Sequence, residues 1–294
     1  MNVHEIITQR IIEKLESGTV PWKRPWKHYA HGFAPMNFAS KKPYRGINVW
    51  MLASSGHSSP YWASYKQWEK LKGQVRKGEK GTPIIYWQSN TYNKVNDSGE
   101  SEEKRGLILK YYTVFNLNQV SGIEAPQVEE KIQEFNPIES CESLIKKGSD
   151  LGRVCKITHE ESEAYYKPSQ DLINMPKRES FEIPIRYYST LFHELVHSTG
   201  HKSRLDRDGI TKVTNFGSES YSKEELIAEM GASFLCAHAG IYPVLDQSAA
   251  YLKSWISALR GDSRLIISAS NAAQRASEYL LGIEHEKIEE NKNE

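Results

Sequence analysis

Two histidines four residues apart, with a glutamate beside the first, form the string His193-Glu194-Leu195-Val196-His197. On a helix such residues stack one turn apart on one face, so His193 and His197 can hold one metal ion between them. Glu194 then stands where it can take a proton from a water that the metal activates, which is the arrangement of a zinc hydrolase. Ile185, Tyr188, Phe192, Leu195 and Thr199 keep a buried-face period through the segment. The uncharged Leu195 and Val196 suit the dry wall of a metal site.

A catalytic zinc site takes three protein ligands and leaves a fourth position for water, so one ligand must come from elsewhere. In Tyr221-Ser222-Lys223-Glu224-Glu225-Leu226-Ile227-Ala228-Glu229, Glu225 and Glu229 share one helix face. The string resembles the Glu-x-x-Ala-acid segment of peptidases in which the first acid binds zinc and the acid one turn later orients a ligand histidine. On that resemblance Glu225 is the third ligand, and Glu229 supports a histidine or substitutes as ligand. Other readings stay open. Ser222 with Glu225 also fits a capping box that serves only the helix start, and Glu224 could take the ligand role. His201 continues the spacing, but it lies about 12 Å from His193 along a straight helix and reaches the metal only if Gly200 breaks that helix. Zn2+ is the default ion for two imidazoles and a carboxylate, with Mn2+, Co2+ or Ni2+ also able to occupy the site.

A second chemistry is written in residues 1–125, which hold 18 Lys and Arg against 10 Asp and Glu, a balance of +8 that the remainder offsets with −7. Six of the seven tryptophans fall in this basic part. Cations and flat rings interleave: Trp22, Lys23, Arg24 and Trp26; Lys41, Lys42, Tyr44 and Arg45; Tyr65, Lys66 and Trp68; then Arg76, Lys77 and Lys80. Single-stranded nucleic acid matches this combination, because unpaired bases stack on rings while Lys and Arg follow the phosphates. Any one of these tryptophans reads equally well as core. Gly73 to Lys80 has the glycine spacing of a phosphate loop, but Glu79 stands where lysine is required, which excludes a nucleotide triphosphate site. Lys77-Gly78-Glu79-Lys80-Gly81 reads instead as a tight turn.

The elements that carry these residues follow from periodicity. Residues 3–17 predict an amphipathic helix stopped by Gly18 and Pro21. Residues 81–88 and 107–116 predict strands, and the polar stretch 90–105 around Asp97-Ser98-Gly99 a long hairpin loop. From Ile123 to Pro137 the composition shifts to Glu, Gln, Lys and Pro, so we expect domains at 1–125 and 138–294 joined by a linker over 126–137. Beyond it helices are expected over 138–148, 184–199, 222–240, 246–260 and 263–282, the last with a stripe of Ala269, Ala272, Ala273 and Ala276 that suggests close helix packing. The fold class is α+β, with a mixed α/β first domain and a mainly helical second. Cys141, Cys155 and Cys236 form no CxxC pair, which argues against a disulfide framework and for a reducing cytoplasm. No signal peptide and no run of 18 apolar residues is visible, so a soluble protein that meets no membrane is expected.

Taken together, the chain resembles the antirestriction protein ArdC family of conjugative plasmids and related mobile elements. The resemblance rests on Leu15-Glu16-Ser17-Gly18-Thr19-Val20-Pro21-Trp22, Pro43-Tyr44-Arg45-Gly46-Ile47-Asn48, Tyr65-Lys66-Gln67-Trp68 and Val75-Arg76-Lys77-Gly78-Glu79-Lys80-Gly81 in the first half. In the second it rests on His193 through His201, then Arg204-Leu205 and the segment from Glu224 to Glu229. It implies a first domain that binds single-stranded DNA and a zincin-like metallopeptidase domain. Together these would protect incoming DNA from restriction in a bacterial cytoplasm. Two other functions fit the same residues: a DNA-targeted metalloprotease that cleaves a DNA-bound host protein such as a restriction subunit, and a passive coat on single strands whose metal is structural.

Overall fold

A computed structural model describes residues 1–22, 35–95, 101–124, 126, 137–211, 219–243 and 249–284. Contacts divide the chain into two units, bounded as Met1–Pro21 with Pro25–Glu130 and Trp22–Arg24 with Lys131–Glu294. Trp22 therefore belongs to the second unit, where its ring meets Trp255 edge-on at 5.6 Å. Apart from Pro126 and Pro137 at its two ends, the expected linker lies outside the described residues.

The first unit opens with α1 (Val3–Glu16), started by a capping box in which Asn2 Oδ1 accepts the Glu5 N–H and Glu5 accepts the Asn2 N–H. Ile7, Ile11, Ile12 and Leu15 form its buried face. Next come β1 (Met36–Asn37), α2 (Ile47–Ala53), β2 (Tyr61–Ser64), α3 (Tyr65–Lys70) and β3 (Gln74–Val75). The long β4 (Thr82–Val95), β5 (Ser101–Asn116) and the short β6 (Val120–Ser121) follow. The main sheet runs β1-β2-β5-β4, with β1 and β2 parallel and the other pairs antiparallel. Leu52, Trp62, Ile84 and Val114 make one core cluster, and Ala63, Trp68, Val75, Leu117 and Val120 another. Strand β4 lies at the sheet edge, and Asn48 covers it there: its Nδ2 donates to the Ile85 carbonyl and its Oδ1 accepts the Ile85 N–H, both at 2.8 Å.

Beyond Ile85 the β4–β5 pair continues as a two-stranded ribbon, in register from Tyr86↔Lys110 to Val95↔Ser101. Residues 90–95 and 101–105, expected as loop, are thus ladder, while Asp97, Ser98 and Gly99 lie outside the described residues. Every residue from Tyr86 to Thr91 is exposed. Residues 90–95 and 101–105 carry no apolar alternation in sequence, so their polar composition concealed the strand.

The second unit comprises α4 (Pro137–Asp150), β7 (Lys156–Thr158), β8 (Tyr165–Lys167), β9 (Leu172–Asn174), α5 (Pro184–Thr199) and α6 (Asp208–Thr211). It ends with α7 (Glu219–His238), α8 (Ala249–Gly261) and α9 (Leu265–Leu281). The small sheet β7-β9-β8 had no periodic signature, because strands of three residues are too short to show one. Helix α7 is buried continuously from Leu226 to Ala237, packed on α5 and on the alanine stripe of α9, where Ser277 Oγ donates to the Gly231 carbonyl at 3.1 Å. Arg204 grips both oxygens of Asp171 and donates Nε–H to the Ser198 carbonyl at 2.8 Å, tying the end of α5 to the β8–β9 turn.

Candidate functional site

Helix α5 starts with Pro184 at its first turn and ends at Gly200, and within it His193 and His197 turn toward α7. Their Nε2 atoms lie 3.1 Å apart. From α7, Glu225 brings Oε2 to 3.5 Å from His193 Nε2 and Oε1 to 3.6 Å from His197 Nε2. One ligand atom from each of the three lies within 4.8 Å of the others. A tetrahedral ion with bonds of about 2.0–2.1 Å has ligand-to-ligand edges of roughly 3.3 Å, so these residues could hold one zinc-sized cation. The helices come this close because position 231 has no side chain: a Cβ on Gly231 would stand 2.7 Å from a Val196 methyl.

Electrostatics favour a cation. Glu194 and His197 are buried, and Glu224 and Glu229 are buried beside Glu225. Burial by itself would push His193 down, but the carboxylates of Glu225, Glu229 and Glu194 outweigh it and raise its pKa to about 9. Burial pushes Glu225 up, and the two histidines with the Tyr251 hydroxyl outweigh that and pull it to about 2. Tyr251 donates its hydroxyl to Glu225 Oε2 at 3.2 Å, with the Tyr221 hydroxyl 3.4 Å farther along.

Around the three candidate ligands, Glu224 Oε1 stands 3.3 Å from His197 Nδ1, and Glu229 Oε1 stands 4.0 Å from His193 Nδ1. Arg207 holds Glu224 through Nε (3.0 Å) and Nη2 (2.6 Å), and Nη2 also donates to the Val196 carbonyl at 2.8 Å. Burial would raise the Glu224 carboxyl, but His197 and Arg207 outweigh it and hold it below the usual carboxylate range. Glu224 therefore faces the back of His197 instead of joining the ligand atoms. Helix α7 begins three residues before Ser222, so the capping-box reading of Glu225 falls, and Ser222 Oγ instead lies 3.4 Å from Ser254 Oγ. His201 bonds Ser203 Oγ at 2.8 Å and stands outside the ligand group. Arg207 and Tyr251 carried no sequence signal, since neither shares a helix or a spacing with the histidine motif.

Residues 1–115 match the N-terminal domain of anti-restriction factor ArdC, and residues 150–272 match a zincin-like metallopeptidase family. The crystal structure of the antirestriction ArdC protein from plasmid R388 is 38% identical in its metal-free form, covering 95% of this chain and 97% of that one with a TM-score of 0.73. The chain belongs to the antirestriction ArdC family. A Mn(II)-bound structure of the R388 protein is similar at TM-score 0.75 and 37% identity, covering 96% of this chain and 98% of that one. Protein y4eC of Sinorhizobium fredii is 35% identical over 95% of this chain and 91% of its own length. The DNA primase TraC of Escherichia coli is 38% identical over 98% of this chain, which spans only 20% of that much longer protein.

In the ArdC N-terminal domain the interleaved rings and cations divide by burial. Trp22 and Trp68 are completely buried, and Trp68 donates its indole N–H to the Phe115 carbonyl at 3.0 Å. Burial removes both from the rings a base could stack on, because their faces already pack against protein. Tyr44 packs on the Leu52 cluster, with its hydroxyl bonded by Asn37 at 3.2 Å and its pKa raised by burial. Tyr65 keeps 47% of its surface, and Lys41, Lys42, Arg45, Lys66, Lys77 and Lys80 are exposed. Lys41 covers the Phe38 ring at 3.9 Å. Arg76 is occupied by Glu79 at 2.8 Å in the turn that Gly78 makes with φ +89°. Lys23, Arg24 and Trp26 lie outside the described residues. Among the described helices none is long and apolar enough to cross a membrane.

Proposed function

We propose that the first unit binds single-stranded DNA and that the second hydrolyses a peptide bond at the His193, His197 and Glu225 centre, the two serving protection of incoming DNA from restriction in the bacterial cytoplasm. The observation that carries the peptidase reading is the convergence of three ligand atoms, the full set among the described residues, on the turn of α5 that holds Glu194. Three ligands leave a coordination position open, as catalytic sites require. Zinc is the proposed ion; the R388 relative binds Mn(II), and this donor set also suits cobalt or nickel. When bound, the ion supplies Lewis acidity toward water and toward a peptide carbonyl. Glu194 takes the water proton and delivers it to the leaving amine, while Tyr251 holds Glu225 through its Oε2 and Glu224 holds the ring of His197. The substrate we propose is a DNA-bound host protein such as a restriction subunit.

The test is transfer of DNA into a restricting recipient that carries the wild type, Glu194→Gln, or Lys77→Ala/Lys80→Ala, each checked for fold and metal content. Glu194→Gln should keep its metal and lower hydrolysis by about 10²–10⁴-fold. Loss of protection with Glu194→Gln makes hydrolysis part of the function. Protection kept there but lost in the lysine variant assigns protection to DNA binding alone and overturns the part of the proposal that gives hydrolysis a role in it, leaving the metal site a structural or separate task.

A further inference from the structure

The ribbon of the first unit exposes rings in a row. Trp87 is 47% exposed and Tyr111 49%, with Leu107 beside them at 67%. A single exposed aromatic needs no account, but several on a two-stranded ribbon form a surface that something covers. Alternation puts Trp87 on the face of Ile85, whose cross-strand partner is Tyr111, so Trp87 and Tyr111 are diagonal neighbours about 7–8 Å apart. The other five tryptophans with described positions are at most 1% exposed, so Trp87 offers the one open indole among them.

Helix α1 extends this surface. His4 sets its ring 6.4 Å from that of Trp87. Farther along the same helix, Arg10 and Lys14 line a cavity of about 450 Å³ together with Lys80 and His57, and Glu13 is the one acid in its wall. At 1.5 Å per residue Arg10 and Lys14 lie about 9–15 Å from His4 along the helix axis. Helix α1 thus runs from the level of the open rings to the level of a cavity lined by Arg10, Lys14 and Lys80. A polymer with free base faces and regularly spaced phosphates supplies both partners at once, which a second copy of the chain does not.

We infer that single-stranded DNA lies along α1, with bases stacked on Trp87 and Tyr111 and phosphate at Arg10, Lys14 and Lys80. The inference rests on the proposal that the first unit binds single-stranded DNA, and it moves the stacking rings from the tryptophans near the amino terminus to the ribbon.

The experiment measures binding of the full chain to labelled oligo(dT) and to an abasic strand of equal length at fixed salt, with thermal melts as a check on folding. Trp87→Ala/Tyr111→Ala should weaken oligo(dT) binding about ten-fold or more and leave abasic binding unchanged. Arg10→Gln/Lys80→Gln should weaken both and flatten the salt dependence. In a Trp26→Phe background, oligo(dT) should quench fluorescence that disappears with Trp87→Phe. A wild type that binds no single strand overturns the broader reading. A wild type that binds, paired with a ring variant that binds oligo(dT) equally well, overturns this inference alone. A dimer in sedimentation that Trp87→Ala dissociates also overturns it, by assigning the rings to a second copy.

Discussion

The α5–α7 centre and the β4–β5 ribbon turn their chemistry in opposite directions. In the first, His193, His197 and Glu225 point inward to one small volume, and neighbouring carboxylates favour the charged form of His193. In the second, Trp87 and Tyr111 point outward from a ribbon whose residues from Tyr86 to Thr91 are all exposed. An inward site needs a fixed spacing on a helix, which a sequence displays. An outward surface needs only that a ring be left uncovered, which packing elsewhere decides.

The largest effect separates two tryptophans of the first unit. Trp68→Ala should cost about 3–5 kcal/mol in urea unfolding, because it empties a packed cluster. Trp87→Ala should stay within about 0.5 kcal/mol. Equal losses at both positions would mean that the ribbon rings are structural after all. At the metal centre, Glu224→Gln keeps shape while removing the charge facing His197, and chelator competition should report metal affinity about 10–100-fold weaker. Unchanged affinity would show that packing alone orients His197. The smallest effect concerns Asp171. The Arg204 hydrogen bonds hold its carboxyl below the ordinary 3.8 against the opposing pull of burial. Because the folded pKa is depressed, that contribution is fully present above 3.8 and is lost as pH falls through the folded value. The pair is partly exposed, so the gap between wild type and Asp171→Asn should be under about 1 kcal/mol at neutral pH and close in acid melts. A gap that persists in melts at about pH 2 would assign the effect to geometry instead of charge.

Much of the second unit was legible. Pro184 and Gly200 bounded α5, the alanine stripe announced the α7–α9 contact, and the histidine spacing put both rings on one face. Glu224 was visible only as one of several acids, since its place behind His197 depends on Arg207 folding back from the loop after α5. Less of the first unit could be read. Trp68 stands among cations just as a stacking ring would in sequence, yet the packing around Phe115 encloses it, and Trp22, which belongs to the second unit, is enclosed against Trp255 in the same way. The root of the ribbon was read as strand, but its outer part, 90–95 with 101–105, was concealed because it has no apolar alternation and its polar residues read as loop.

Asn48 has a consequence for how the protein behaves at high concentration. An edge strand offers unpaired N–H and C=O groups to any other chain that arrives extended, which is how ordered aggregates begin. The side-chain amide of Asn48 occupies both groups of Ile85, as a neighbouring strand would, at the root of the longest pair of strands in the first unit. One amide thereby closes that point of the sheet to growth, and a second molecule cannot extend the fold from there into a fibre.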